Sequence, residues 1–298
     1  MRHARLVLVA ALALGACSSP RSARTGPEAA SSTSAPATPD RAAPTAVAGA
    51  AVRVKPYRFE SRAGEVVDAE LGRFDVPENR RDPASRTLSI TFVRFPATTA
   101  RPGPPIVYLA GGPGGSGVDA ARGPRFAMFM ALRQLGDVIA LDQRGTGLSN
   151  AIPHCAAPSP WPLDRPSTRA TYTTWLEVTA RHCAGWWRDR GVDLDGYNTV
   201  ESADDLEALR QALAAPALRL LGISYGTHLA MAAMRRHGAH LDRVVLASAE
   251  GLDETIKLPG LTQAFLERTF GAAELAALRD VLRRLEATPA MVDVPDPR

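Results

Sequence analysis

Cysteine is scarce in this 298-residue chain: there are three, none in a Cys-x-x-Cys pair and none beside clustered histidines. That spacing excludes a zinc ribbon or finger as the organising element. Histidines number six, tyrosines five, and aromatic residues make up 6% of the chain. No apolar run reaches the length of a membrane-spanning helix; the run at 6–16 holds 11 residues and is too short. No basic block stands out either. The formal net charge is +4, from 35 basic and 31 acidic residues spread along the chain, so a nucleic-acid footprint is excluded and a mildly basic, solvated surface is expected. With 45% apolar and 22% charged residues, the composition is that of a globular protein, not a disordered one. The length allows one large domain or two small ones.

What is present begins with an export signal. Arg2 and Arg5 precede the apolar run 6–16, the pattern of a secretory signal peptide. The run ends in Leu14-Gly15-Ala16-Cys17, which resembles the lipobox of bacterial lipoproteins. The resemblance implies that Cys17 becomes a lipid-carrying N-terminal residue. The protein is then expected on the periplasmic side of a bacterial membrane, the outer membrane being favoured by Ser18. A plain signal peptide with an incidental Cys is the alternative. Residues 18–52 are dominated by Ala, Ser, Thr, Pro and Gly without apolar periodicity. Such a stretch cannot repay its ordering entropy and reads as a tether. Folded structure is expected from Arg53. Cys155 and Cys183 are a disulfide candidate in an oxidising compartment, the alternative being two separate buried thiols.

Apolar and polar residues alternate over 69–76 and 87–95, separated by the turn-rich Pro77-Glu78-Asn79-Arg80-Arg81-Asp82-Pro83. Two antiparallel edge strands are expected. The run 105–110 is apolar without alternation, as in a strand covered on both faces. Helix is expected at 126–135, 171–188, 201–214 and 227–237, and strand at 138–141, 218–223 and 241–247. In helix 171–188, Trp175, Trp186 and Trp187 are expected to pack. In helix 201–214, Ala203, Leu206, Leu209 and Leu213 form one stripe, with Ser202 or Thr199 as the cap. Strand and helix alternate from 105 to 249, which argues for βαβ units around a mainly parallel sheet of about six strands. Helices at 261–270 and 274–285 follow, with no strand-like run beyond 249.

The strongest chemical signal is Gly222-Ile223-Ser224-Tyr225-Gly226, a Gly-x-Ser-x-Gly sequence with an apolar strand before it and a helix after. That setting makes Ser224 the candidate nucleophile. The second signal is Gly111-Gly112-Pro113-Gly114-Gly115-Ser116-Gly117. No Gly-Lys-Ser/Thr follows, so it is not a P-loop, and it lacks the spacing of a dinucleotide fingerprint. An oxyanion hole is the better reading, its donors the backbone N–H groups of Gly112 and Tyr225. The third is Asp142-Gln143-Arg144-Gly145-Thr146-Gly147-Leu148-Ser149, read as a rigid supporting loop held by an Asp142–Arg144 pair.

Together these three motifs resemble the α/β-hydrolases of the proline iminopeptidase and tripeptidyl aminopeptidase group, over about residues 68–261. The resemblance implies an α/β-hydrolase fold, mostly parallel with an antiparallel N-terminal edge. It also implies a serine exopeptidase acting on free N-termini, with no metal or organic cofactor. Ala110 stands where many relatives carry His. On this reading residues 53–258 are the N-terminal part of the hydrolase core, and 259–298 begin a helical cap.

A serine nucleophile needs a base, usually a His oriented by an acid. His240 opens a strand, His228 and His237 lie along the helix after Ser224, and His154 and His182 are expected in loops or at the surface. None is assigned as base. Asp253, Asp280, Asp293 and Asp296 are acids by position only. The resemblance places acid and base after later strands, so a chain truncated at its C-terminus and poorly soluble is expected. Peptide hydrolysis leads, with an esterase, an inactive lipoprotein scaffold and a transacylase as alternatives.

Overall fold

The computed structural model describes residues 52–149, 152, 154–161, 168–252 and 259–288. The signal peptide 1–17 with Cys17, the tether up to residue 51, Asp253, Asp293 and Asp296 lie outside the described residues.

Among the described residues the strands are β1 (Arg53–Glu60), β2 (Val66–Pro77), β3 (Thr87–Phe95), β4 (Gly103–Leu109), β5 (Gly136–Leu141), β6 (Leu218–Ile223) and β7 (Leu241–Ala247). The helices are α1 (Gly117–Arg122), α2 (Phe126–Leu132), α3 (Arg169–Arg188), α4 (Thr199–Ala212), α5 (Tyr225–His237), α6 (Pro259–Thr269) and α7 (Ala272–Ala287). All seven strands form one sheet in the order β1-β2-β3-β5-β4-β6-β7. Only β1 and β3 run against the other five, since β1–β2, β2–β3 and β3–β5 pair antiparallel while β4–β5, β4–β6 and β6–β7 pair parallel. The sheet thus has seven strands where six were expected. The additional one, β1, carries Arg53, Lys55, Arg58 and Pro56 with most side chains exposed, so no apolar pattern announced it.

Period-two alternation sends neighbouring side chains to opposite faces. Ile90 and Phe92 of β3, Val107 and Leu109 of β4, and Ile139 and Leu141 of β5 pack on one face with Leu206 and Leu209 of α4 and Leu229 of α5. Val93, Phe95, Tyr108, Val138 and Ala140 pack on the other with Val118 of α1 and Phe129 of α2. The stripe expected on α4 is therefore the face that covers the sheet. Its cap is Asn198, whose side chain accepts from the Glu201 N–H at 3.0 Å, rather than Ser202 or Thr199. An amide side chain one residue before the helix serves the orphan N–H as a hydroxyl would.

Helix α3 is held by the segment before it. Cys155 and Cys183 form a disulfide, Trp161 packs edge-on against Trp175, and Trp175 Nε1 donates to the Ser159 carbonyl. Trp175 thus packs on this clasp, and Trp186 carries the Arg190 guanidinium over its ring at 3.6 Å. Among the described residues no helix is long and apolar enough to cross a membrane.

Candidate functional site

The parallel strands β5, β4, β6 and β7 lie side by side, and the segments leaving their carboxyl ends carry every motif. Open α/β sheets bind ligands at this end. Ser224 sits between β6 and α5 at φ 55° and ψ −126°, a conformation that costs an L-residue roughly 1–3 kcal/mol. The backbone tolerates that turn because its flanks are glycines. A Cβ on Gly226 would overlap the Leu109 carbonyl, and one on Gly222 would overlap the carbonyl of Gly226. The Ser224 N–H donates to Ala247 O at 3.0 Å, and the Thr227 N–H donates back to Ser224 O at 2.8 Å.

The glycine-rich loop leaves β4 directly against this turn. A Cβ on Gly111 would come within 2.9 Å of Ser224 Cβ, so only glycine lets the two segments meet. Gly112 follows at φ 122°. Tyr225 is the first residue of α5, where backbone N–H groups have no acceptor within their own helix. Its hydroxyl shares a hydrogen bond with Thr199 Oγ1 at 3.0 Å. A cleft of about 410 Å³ opens over Ser224, lined among others by Arg62, Tyr108, Gly111, Asp119 and Arg125.

Asp142 and Arg144 do not pair, contrary to expectation. Asp142 is fully buried and accepts from Ser116 Oγ at 2.6 Å, the Val118 N–H at 3.1 Å and the Leu148 N–H at 2.7 Å. Arg144 turns to the opposite side, where Asp205 receives its Nε and Nη2, both at 2.7 Å, and the Glu78 carbonyl accepts Nη1 at 2.6 Å. Each charge is buried, and each finds a fuller set of partners apart than the other could supply. Gln143 between them donates to the Ala110 carbonyl at 3.1 Å, beside the glycine loop.

The turn Pro77–Pro83 has more structure than its composition suggested. Glu78 is buried and accepts from Arg86 Nε and Tyr197 Oη, both at 2.7 Å. Burial pushes its carboxyl up, but these hydrogen bonds prevail and hold it below the usual range. Arg80 spans Glu201 and Asp205 of α4, at 2.7 Å each.

The described histidines are dispersed. Nε2 of His237 donates to Asp204 at 2.7 Å and Nδ1 of His240 to Glu207 at 3.0 Å, both on α4. His154 and His182 are exposed. His228 stays at the rim of the site, stacked on Tyr225 at 5.7 Å, its Nδ1 3.1 Å from the Gly251 carbonyl. Asp280 lies on α7, where Arg284 pairs with it at 2.7 Å. The Ser224 hydroxyl instead donates to Glu250 Oε1 at 2.8 Å. No motif in the sequence marked Glu250, one of several acids in the segment after β7. Among the described residues no group of three or more His, Cys, Asp or Glu could hold a metal ion.

These features coincide with similarity to known proteins. A family model described as alpha/beta hydrolase fold matches residues 104–288. "Serine protease Hip1" of Mycobacterium tuberculosis (strain ATCC 25618 / H37Rv) is 30% identical over 174 residues, 55% of this chain and 32% of that protein. "Tripeptidyl aminopeptidase" of Streptomyces coelicolor is 28% identical over 189 residues, 60% of this chain and 35% of that one. The chain thus spans about a third of the length of these curated relatives. Among solved structures, Cfl2 from Burkholderia cenocepacia aligns with a TM-score of 0.40 and 17% identity, covering 77% of this chain and 60% of that one. With the family match extending over more than half of its residues, this chain belongs to the alpha/beta hydrolase fold family.

Proposed function

We propose that this protein is a serine hydrolase in which Ser224 attacks an acyl carbonyl, and that its substrates are peptides entering by a free N-terminus. The observation that carries the reading is Ser224 itself: a non-glycine residue at φ 55° between β6 and α5, its hydroxyl at the cleft beside the glycine loop. Attack forms the Oγ–C bond and drives the carbonyl electron pair onto oxygen. The N–H groups of Gly112 and Tyr225 receive that charge, aided by the N-terminus of α5. Departure of the amine leaves an acyl-enzyme, which water hydrolyses. Preference for peptides over esters rests on the three motifs and on the names of the similar proteins.

The test compares aminoacyl- and tripeptidyl-arylamides with a free amine, the same compounds acetylated at nitrogen, and short p-nitrophenyl esters. Turnover of the free-amine compounds, lost on acetylation and in Ser224→Ala, is expected. Turnover of esters alone makes the protein an acyl hydrolase of the same mechanism. We further propose that Cys17 carries lipid and tethers the domain to the periplasmic side of a membrane. Metabolic palmitate labelling, abolished by Cys17→Ser, is the expected result.

A further inference from the structure

Between α1 and α2 the chain turns through Gly123, Pro124 and Arg125, and all three line the Ser224 cleft. The turn is fixed at both ends. The Gly123 N–H donates to the Asp119 carbonyl at 3.2 Å, the Phe126 N–H to the Gly123 carbonyl at 3.0 Å, and the Phe129 N–H to the Arg125 carbonyl at 3.1 Å. Phe126 and Phe129 are buried against the sheet, so Arg125 is presented to the cleft by an anchored backbone. Its side chain is exposed, and among the described residues no carboxylate pairs with it. Tyr108 of β4 lines the same cleft although it is only 2% exposed. Its ring packs on Phe129 at 5.1 Å, which leaves the hydroxyl as the part that reaches the cleft. Among the described residues nothing hydrogen-bonds that hydroxyl. Burial pushes its pKa up and keeps it a neutral donor, while the Arg125 charge, felt at the hydroxyl, works the other way.

The other charges facing the cleft are already matched. Arg62 and Asp119 pair with each other at 2.7 Å, and Glu250 receives the Ser224 hydroxyl. Arg125 therefore leaves this wall of the cleft positive, beside a phenol with a hydrogen bond to give. A polar group held in a largely buried side chain is costly until a partner accepts from it. A carboxylate fits both groups at once: it carries the opposite charge, donates nothing and has two oxygens, one for the planar guanidinium and one for the phenol. An amide in the same place offers one acceptor oxygen and no charge.

We infer that Tyr108 and Arg125 form a subsite of the Ser224 cleft that selects peptides carrying a carboxylate, Arg125 supplying the charge and Tyr108 the hydrogen bond. The inference rests on the reading of this cleft as the place where peptides bind, and it adds the class of peptide. An exposed guanidinium alone contributes little in water. The hydroxyl beside it is sheltered, and a hydrogen bond from it to a charged acceptor is stronger for that reason. The carboxylate belongs either to an acidic side chain or to the C-terminus of a short peptide; both present the same group.

The test measures equilibrium binding by NMR titration on the full chain carrying Ser224→Ala, so that no probe is consumed. The probes are trialanine amide, the same peptide with a free C-terminal carboxylate, and trialanine amides with Glu or Gln at each position in turn. One carboxylate probe is expected to bind about tenfold more tightly than its neutral counterpart at low salt, with the ratio shrinking as salt is raised. Preference for the free C-terminus or for Glu at one position identifies which carboxylate the subsite takes. Adding Arg125→Gln should bring the ratio near one, and Arg125→Lys should keep part of it. Tyr108→Phe, which retains the ring against Phe129, should lower the ratio about threefold. Equal binding of acidic and neutral probes, binding of none, or a preference that survives Arg125→Gln overturns the inference. Labelling of wild-type Ser224 by an alkyl fluorophosphonate is read separately. Its absence removes the nucleophile reading, whereas a carboxylate preference lost in Arg125→Gln establishes the subsite in either case.

Discussion

The Ser116 hydroxyl donates to Asp142 Oδ1 at 2.6 Å, joining the glycine loop after β4 to the loop after β5. The same carboxylate caps the Val118 N–H, inside α1, and the Leu148 N–H. One buried side chain thereby fixes the loop that lies against Ser224. Asp142→Asn keeps the shape but turns an NH2 toward groups that are already donors. The cost should be about 2–3 kcal/mol of stability, read from urea unfolding. A larger proportional fall in kcat than in substrate binding is also expected, since a displaced Gly112 N–H weakens the transition state more than the ground state.

Ser224 pays for its position in backbone strain. Ser224→Gly removes the side chain and lets the φ 55° turn relax into a conformation glycine adopts freely. The variant should be inactive yet more stable than wild type by about 1 kcal/mol, whereas Ser224→Ala should be inactive without that gain. Equal midpoints of thermal unfolding for the two variants would remove strain from the description of this turn.

Acid sensitivity is expected where α4 meets α5. Asp204 accepts from Arg236 through both of its oxygens, and from His237, all at 2.7 Å. Burial pushes the carboxyl up, but the hydrogen bonds from His237 and Arg236 prevail and bring it from 3.8 down to about 2. A folded value below the unfolded one means the stabilisation is complete above about pH 4 and is lost as pH falls toward 2. Its size is about 2 kcal/mol. Asp204→Asn should lower stability at pH 6 by roughly that amount and flatten the unfolding curve between pH 4 and 2.

The disulfide closes a separation of 28 residues, which in the chain-entropy account is worth about 3.5 kcal/mol. It links α3 to the segment that carries Trp161, not to the sheet. Reduction should therefore expose α3 and the segment 154–161 to proteolysis while leaving the Ser224 cleft folded. Limited proteolysis with mass mapping, with and without dithiothreitol, reads both effects. Loss of the whole core on reduction would show that the clasp supports the domain itself.

What the sequence disclosed followed from local physics. Gly222 and Gly226 flank Ser224 because backbones pass there too closely for a Cβ, and that need is written in adjacent residues. The apolar runs of β4 and β6 are covered on both faces and so read as unbroken strands. The charged network was hidden for the opposite reason. Arg144 lies 61 residues from Asp205 and 66 from Glu78, and nothing near any of them shows that they are buried against one another. Reading Asp142 with Arg144 matched charges by sequence distance, where the fold matches them by burial. Glu250 was invisible for a related reason: its position depends on the turn at Ser248 and on the Thr227 hydroxyl, neither of which leaves a motif.

The most direct test of Ser224 as nucleophile is tryptic mapping of the full chain after treatment with an alkyl fluorophosphonate at pH 7. A single phosphonyl adduct on Ser224, absent from Ser224→Ala and blocked in advance by a free-amine peptide substrate, is the expected outcome. An adduct on another residue, or none at all on a folded chain, would contradict it.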